Sequence, residues 1–129
     1  MSHKPRLTDQ QIEEYLSENG SPPHVVRAGR AGLIRRWSEF VGEVEKGYRL
    51  GLDDYRNDLD LRGILATLGL EDEPGVQEAD LRLATVLEPA TKRIWESCGG
   101  SPFWDFGYPR NATGDLLDDL KSEGLVGAR

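Results

Sequence analysis

The sequence contains only one cysteine, Cys98, so no disulfide bond can form within the chain. A single thiol is typical of proteins that stay in the reducing cytoplasm. The first residues, MSHKPRLTDQQ, include no apolar stretch that resembles a secretion signal, and no later apolar run approaches the length that spans a membrane. We therefore expect a cytoplasmic protein that does not associate with membranes.

Positive charge is scarce relative to negative charge. The 129 residues include 16 lysines and arginines against 23 aspartates and glutamates, which gives a formal net charge of −7 at pH 7. Such a charge repels nucleic acids and anionic lipids. The composition therefore argues against nucleic acid as a partner and favours another protein, one with a basic surface.

Catalytic signatures are missing as well. The sequence has no Gly-x-Ser-x-Gly, His-Glu-x-x-His, Cys-x-x-Cys or Walker motif. Cys98 and His24 could meet in space, but a lone thiol at the end of an apolar helix face is more often inert. The sequence therefore favours a non-enzymatic role.

Apolar residues at helical spacing are abundant, and they predict an all-α fold. We expect a compact single-domain bundle of about five helices over residues 8–126, with flexible termini at residues 1–7 and 127–129. The first helix begins with a capping box formed by Thr8 and Gln11. The strongest apolar face belongs to a helix over residues 33–48: Leu33, Ile34, Trp37, Phe40, Val41, Val44 and Tyr48.

The helix that begins at Asp53 has apolar residues on two opposed sides. Leu52, Tyr55 and Leu59 form one side; Leu61, Ile64, Leu65 and Leu68 form the other. This pattern predicts either a central, buried helix or a break near Gly63. In the first case Asp54, Asn57 and Asp58 are partly enclosed, and enclosed acids need partners.

The remaining elements are predicted from proline and glycine positions. Residues 21–24 form a connector, and residues 27–32 form a flexible lead-in to the main helix. A later helix begins near Pro74 and runs to Cys98, kinked or split at Pro89. Asn111 or Thr113 begins the last helix.

The acids near the start of the central helix allow two interpretations. Asp54, Asn57 and Asp58 could converge on Mg²⁺ or Mn²⁺ if a second acidic helix faces them. The candidates for that second helix are Glu39, Glu43 and Glu45, or Asp115, Asp118 and Asp119. The simpler interpretation, which the sequence favours, is structural: Asp58 pairs with Arg62, and Arg35 or Arg36 neutralises the remaining acids.

Residues 101–110, here called the aromatic segment, contain four aromatic rings around one acid: Phe103, Trp104, Asp105, Phe106 and Tyr108. Rings in a proline-bounded loop are good interface anchors. They serve equally well as a lid over a small core, which the sequence favours, with one or two rings left exposed. If Trp104 were exposed beside Asp105, a docking patch would result.

One basic strip interrupts the acidic composition, and it consists of Arg27, Arg30, Arg35 and Arg36. It could contact an acidic partner or DNA. Taken together, these features favour a small acidic protein-interaction module, such as an immunity or antitoxin-type inhibitor or an adaptor that binds a basic protein. The alternative is a metal-dependent hydrolase or nucleotide-handling enzyme that uses the Asp54, Asn57 and Asp58 group.

Overall fold

The computed structural model describes residues 7–95 and 103–126 and confirms the all-α prediction. The five helices are α1 (Asp9–Glu18), α2 (Pro23–Lys46), α3 (Leu52–Thr67), α4 (Pro74–Val86) and α5 (Gly114–Ser122). Two strands, β1 (Leu87–Pro89) and β2 (Gly107–Pro109), and a 3-10 helix (Phe103–Phe106) complete the architecture. The predicted flexible termini, apart from Leu7, and Cys98 lie outside the described residues.

Helix α1 begins as predicted. The Thr8 hydroxyl accepts a hydrogen bond from the Gln11 amide at 3.1 Å, and the Gln11 side chain accepts from the Thr8 amide at 2.8 Å. Ile12 and Leu16 are buried. Because a helix this short is marginal alone, it depends on packing against α2.

Helix α2 begins earlier than the sequence predicts, at Pro23. Proline suits the first turn because its missing N–H has no partner there. Gly29, with φ 55° and ψ −142°, is the one non-helical residue inside α2. Residues 27–32 are therefore helical on both sides of a kink, and the prediction of a flexible lead-in was wrong. The largest interfaces of α2 are with α4 and α1, although it also packs against α3.

Helix α3 is the central helix, and it continues through Gly63 without a break. Its buried residues lie on both of the predicted sides: Leu52, Tyr55, Leu59, Leu61, Arg62, Gly63 and Leu65. The two opposed apolar sides thus reflect neighbours on two sides, with α2 and α5 both in contact with α3.

Helix α4 ends at Val86, so the prediction of a helix reaching Cys98 was wrong. Leu87 takes an extended conformation, and Pro89 lies in strand β1, which pairs antiparallel with β2. Proline is tolerated in such a short edge strand but not in a helix interior. A side chain at position 107 would collide with Leu87, because a Cβ there would lie 2.9 Å from its Cδ1 atom.

Four aromatic rings form the centre of the core. Trp37, Phe40, Tyr48 and Tyr55 pack with centroid distances of 5.2 to 5.8 Å. The Tyr48 hydroxyl donates to the Asp58 carboxylate at 2.5 Å. The buried Tyr55 hydroxyl has no hydrogen-bond partner among the described residues. The two buried tyrosines therefore differ in whether their hydroxyl group has a hydrogen-bond partner.

The two tyrosines give opposite expectations on substitution. Tyr55→Phe removes an unsatisfied buried hydroxyl and should raise the free energy of unfolding by about 1 kcal/mol. Tyr48→Phe removes a hydrogen bond to a carboxylate and should lower it by about 1.5 kcal/mol. Urea titration monitored by circular dichroism measures both. Equal effects of the two substitutions would contradict this account.

The same tyrosines predict a loss of stability in alkali. Burial raises the pKa of Tyr48 and of Tyr55, and the Asp58 carboxylate raises the pKa of Tyr48 further. Both pKa values then exceed the value of about 10 in the unfolded chain, so stability is intact below pH ~10 and falls above it. Each tyrosine should cost about 1.4 kcal/mol per pH unit there.

Unfolding free energies measured from pH 8 upward test this sign. The Tyr48→Phe, Tyr55→Phe double variant should show a shallower alkaline decline than the parent protein. An identical decline in both proteins would assign the effect to other groups.

Candidate functional site

The aromatic segment divides into buried and exposed side chains. Trp104 is 6% exposed and Asp105 is fully buried, so the condition for a docking patch, an exposed Trp104 beside Asp105, is not met. Phe103 and Phe106 are each 42% exposed, and Tyr108 is half-buried opposite Glu88 of β1. The segment is therefore a lid through Trp104 that leaves two phenylalanine rings at the surface.

Backbone hydrogen bonds hold this segment against the chain that follows β1. The Ile94 amide donates to the Asp105 carbonyl at 2.6 Å, and the Ala90 amide donates to the Phe106 carbonyl at 2.8 Å. The Arg93 guanidinium lies 5.0 Å from the centre of the Phe106 ring. Phe106 is thus presented in a fixed position beside a cation.

A buried ion pair lies beneath the lid. Arg62 of α3 makes three hydrogen bonds to Asp80 of α4, with its Nη2 atom 2.8 Å from Asp80 Oδ2. The Trp37 indole donates to the same carboxylate at 2.9 Å. The Arg62 guanidinium carbon stacks 4.6 Å from the centre of the Trp104 ring. One arginine and one aspartate therefore connect three helices and the lid.

This pair replaces the predicted contact between Arg62 and Asp58. Asp58 is half-buried and accepts from Tyr48 instead. The i,i+4 spacing places Asp58 one turn before Arg62, but the arginine side chain reaches Asp80 of α4 instead. Sequence reasoning missed Asp80 because a single acid among apolar helix positions carries no local sign of its partner.

The predicted metal ligands are not enclosed. Asp54 and Asn57 are exposed, and the half-buried Asp58 carboxylate is hydrogen-bonded to Tyr48, so the prediction of a partly enclosed group was wrong for the first two. Within residues 7–95 and 103–126, no three His, Cys, Asp or Glu side chains are grouped as metal ligands. Of the three residues, Asp58 has a defined hydrogen-bond partner, the Tyr48 hydroxyl.

The two arginines expected to neutralise these acids lie elsewhere. Arg35 and Arg36 are exposed on α2, and neither forms an ion pair within the part of the chain that the structure describes. The acid that does approach the start of α3 comes from α5. Asp119 Oδ2 accepts from the Leu52 amide at 3.0 Å. A Cβ at position 51 would lie 2.9 Å from that oxygen, so Gly51 permits this approach.

The contact between Asp119 and Leu52 places the middle of α5 beside the start of α3. Carboxylates favour the positive end of a helix dipole, and Asp119 supplies the cap that α3 lacks in its own sequence. We call the resulting surface the acidic face; its exposed members are Asp53, Asp54, Asp115 and Asp118. The sequence singled out these acids but could not show that α5 lies beside the start of α3.

Further contacts fix this arrangement. Arg56 pairs at 2.8 Å with Glu123, the residue that follows α5, and donates to the Ile94 carbonyl at 2.9 Å. Ile94 in turn is bonded to Asp105 of the aromatic segment. The acidic face and the aromatic segment are therefore linked through one arginine and one residue of the intervening chain.

The sequence matches no protein-family model and no characterised protein, and the structure matches no solved structure. No helix among the described residues is both long enough and apolar enough to cross a membrane. The function is therefore inferred from the surfaces of the molecule itself.

The ion pair beneath the lid can be tested by a double-mutant cycle. Arg62→Met leaves the Asp80 carboxylate without its cation, and Asp80→Leu leaves the arginine unpaired; each should lower the free energy of unfolding by about 3 kcal/mol. The double variant removes both charges and should lose at least ~2 kcal/mol less than the sum.

The exposed pair between Arg82 and Glu45 provides the control, because Arg82→Met should cost less than about 1 kcal/mol. Urea unfolding measures all four variants. Additive losses at Arg62 and Asp80 would show that the two charges are not coupled.

Proposed function

We propose that this protein is a non-enzymatic interaction module that binds a basic partner protein through the acidic face. The observation that carries the proposal is the contact between Asp119 and Leu52, which places α5, with its exposed Asp115 and Asp118, beside the acidic start of α3. Without that contact, the same acids would be scattered along two separate helices.

The charges on the acidic face are available to a partner. Asp54, Asp115 and Asp118 are exposed and form no ion pair with any described residue. Asp53 has Arg56 at 3.8 Å, but its side chain is fully exposed to solvent. Clustered charges of one sign steer an oppositely charged protein and raise its association rate. Basic residues on the partner would therefore complete the pairing.

The phenylalanines of the aromatic segment supply the apolar contacts that charge alone does not provide. Interfaces combine aromatic anchors with a polar rim, and a few anchors carry most of the binding energy. Phe103 packs against the buried Trp104 ring and Phe106 lies against the Arg93 guanidinium, so little side-chain freedom is lost when they bind. A partner that spans Arg56 could contact both surfaces.

An immunity or antitoxin-type inhibitor, or an adaptor, is the class that fits these features. Such proteins act by masking a basic surface, for which a rigid acidic face is sufficient and a catalytic group is not required. The assignment to this class rests on the size of the chain, its net charge and the acidic face. The specific partner would be the protein that binds to the acidic face.

Affinity capture with matched variants tests the proposal. Asp115→Asn with Asp118→Asn removes two charges from the acidic face, whereas Glu13→Gln with Glu18→Gln removes two exposed charges from α1. A basic protein should be retained by the parent chain and by the α1 control. Its affinity for the acidic-face variant should be weaker by about tenfold, the effect of losing two exposed ion pairs.

The inhibitor class predicts in addition that the purified partner loses its activity when the protein is added in equal amount. An active complex would favour an adaptor. Equal retention of every captured protein by the acidic-face variant and the α1 control would overturn the proposal.

A further inference from the structure

A groove with basic residues at its edge lies along the kinked first part of α2 and the connector that precedes it, Ser21 and Pro22. Its lining includes an apolar floor formed by Val25, Ala28 and Gly32. The edge of the groove is polar and basic: His24, Arg35 and Arg36. The groove and the acidic face share no residue.

Two glycines shape this groove. Gly29 adopts a positive φ of 55°, which favours glycine, and it turns the first part of α2 away from the rest of the helix. At Gly32 a Cβ would lie 2.4 Å from the Ala28 Cβ, so any side chain there would displace the floor. At Gly32 the floor of the groove therefore consists of backbone atoms and not of a side chain.

The arginines around the groove fall into two groups. Arg30 is used within the fold: its Nη2 atom donates to the Leu7 carbonyl at 2.7 Å and lies 3.4 Å from the Asp9 carboxylate. Arg27, Arg35 and Arg36 are exposed, and they have no ion pair within residues 7–95 and 103–126. In a chain of net charge −7, three unpaired cations on one helix are a local excess of positive charge.

We propose that this groove binds an acidic segment of a second partner protein. Its carboxylates would pair with Arg35 and Arg36, since the arginine fork matches carboxylate geometry. Its apolar side chains would cover Val25 and Ala28. The proposal goes beyond the binding of a basic partner, because it adds a second surface with the opposite preference.

Charge and shape favour an acidic peptide over other anionic occupants. A nucleic acid presents a continuous line of phosphates, and the net charge of −7 repels such a line along the rest of the surface. A phosphate backbone would also leave the apolar floor uncovered. A second copy of this chain carries the same net charge, and a head-to-tail contact between copies would not close on itself without a specific rotation.

Titration of the isotope-labelled full chain with defined probes tests the proposal. The first probe is a short peptide of glutamates and leucines; the second is the same peptide with glutamine in place of glutamate. The acidic peptide should shift the amide resonances of residues 24–36 selectively, and the glutamine peptide should not bind. Failure of the acidic peptide to bind, or equal binding of both peptides, would overturn the proposal.

Matched variants locate the site. Arg35→Gln with Arg36→Gln should weaken peptide binding by about tenfold, the loss of two exposed ion pairs. Lys46→Gln with Arg49→Gln removes two exposed cations, one from the last residue of α2 and one from the loop that follows it, and should leave the affinity unchanged. Equal weakening in both double variants would show that the affinity depends only on net charge, and it would overturn the assignment of the site to this groove.

Two further measurements separate the other occupants. If a single-stranded oligonucleotide of equal charge binds more tightly than the peptide, the groove is a nucleic-acid site. If the protein sediments in a concentration-dependent way and the Arg35→Gln, Arg36→Gln variant does not, the groove binds a second copy of the chain. Either result overturns the proposal. The Asp115→Asn, Asp118→Asn variant should keep its peptide affinity, so the two proposals can fail separately.

Discussion

The buried ion pair between Arg62 and Asp80 is the interaction on which the rest of the structure depends. Two charges with little access to water are stable only when they face each other with good geometry, so this pair constrains the position of α3 relative to α4. Trp37 extends this constraint to α2, and Trp104 extends it to the aromatic segment. The apolar core supplies most of the driving force for folding, whereas this pair selects one arrangement of the helices.

Local features of the fold could be predicted from the sequence, and long-range contacts could not. The capping box at Thr8 and the two apolar sides of α3 are patterns of residues that lie close together in the sequence, and the structure has both. Arg62 and Asp80 are separated by 18 positions, and helical spacing instead pointed to a carboxylate one turn away. At Pro89 the helical pattern of apolar residues continued, but the backbone paired with a strand that begins at Gly107, beyond the reach of any local pattern.

The candidate surfaces also depend on long-range contacts that local sequence patterns do not reveal. Exposure of Phe103 and burial of Trp104 depend on which ring reaches Arg62, so residue type alone could not separate a lid from a docking patch. Grouping of the acids of α3 and α5 depends on the approach of Asp119 to a helix end without its own cap. Negative charge therefore lies where α3 begins, and unpaired positive charge lies where α2 bends, which gives the molecule a polarity that its net charge conceals.

The cap of α3 also sets an order of events during folding. Asp119 follows Leu52 by 67 positions, so the chain must close a long loop before the first turn of its central helix is complete. A chain made from its N-terminus has all of α3 and α4 available before α5 exists. During that interval the start of α3 has unsatisfied amide groups and Arg56 has no Glu123 to pair with. When α5 docks, it provides the Asp119 cap of α3 and the Glu123 partner of Arg56, and it completes the acidic face in the same step.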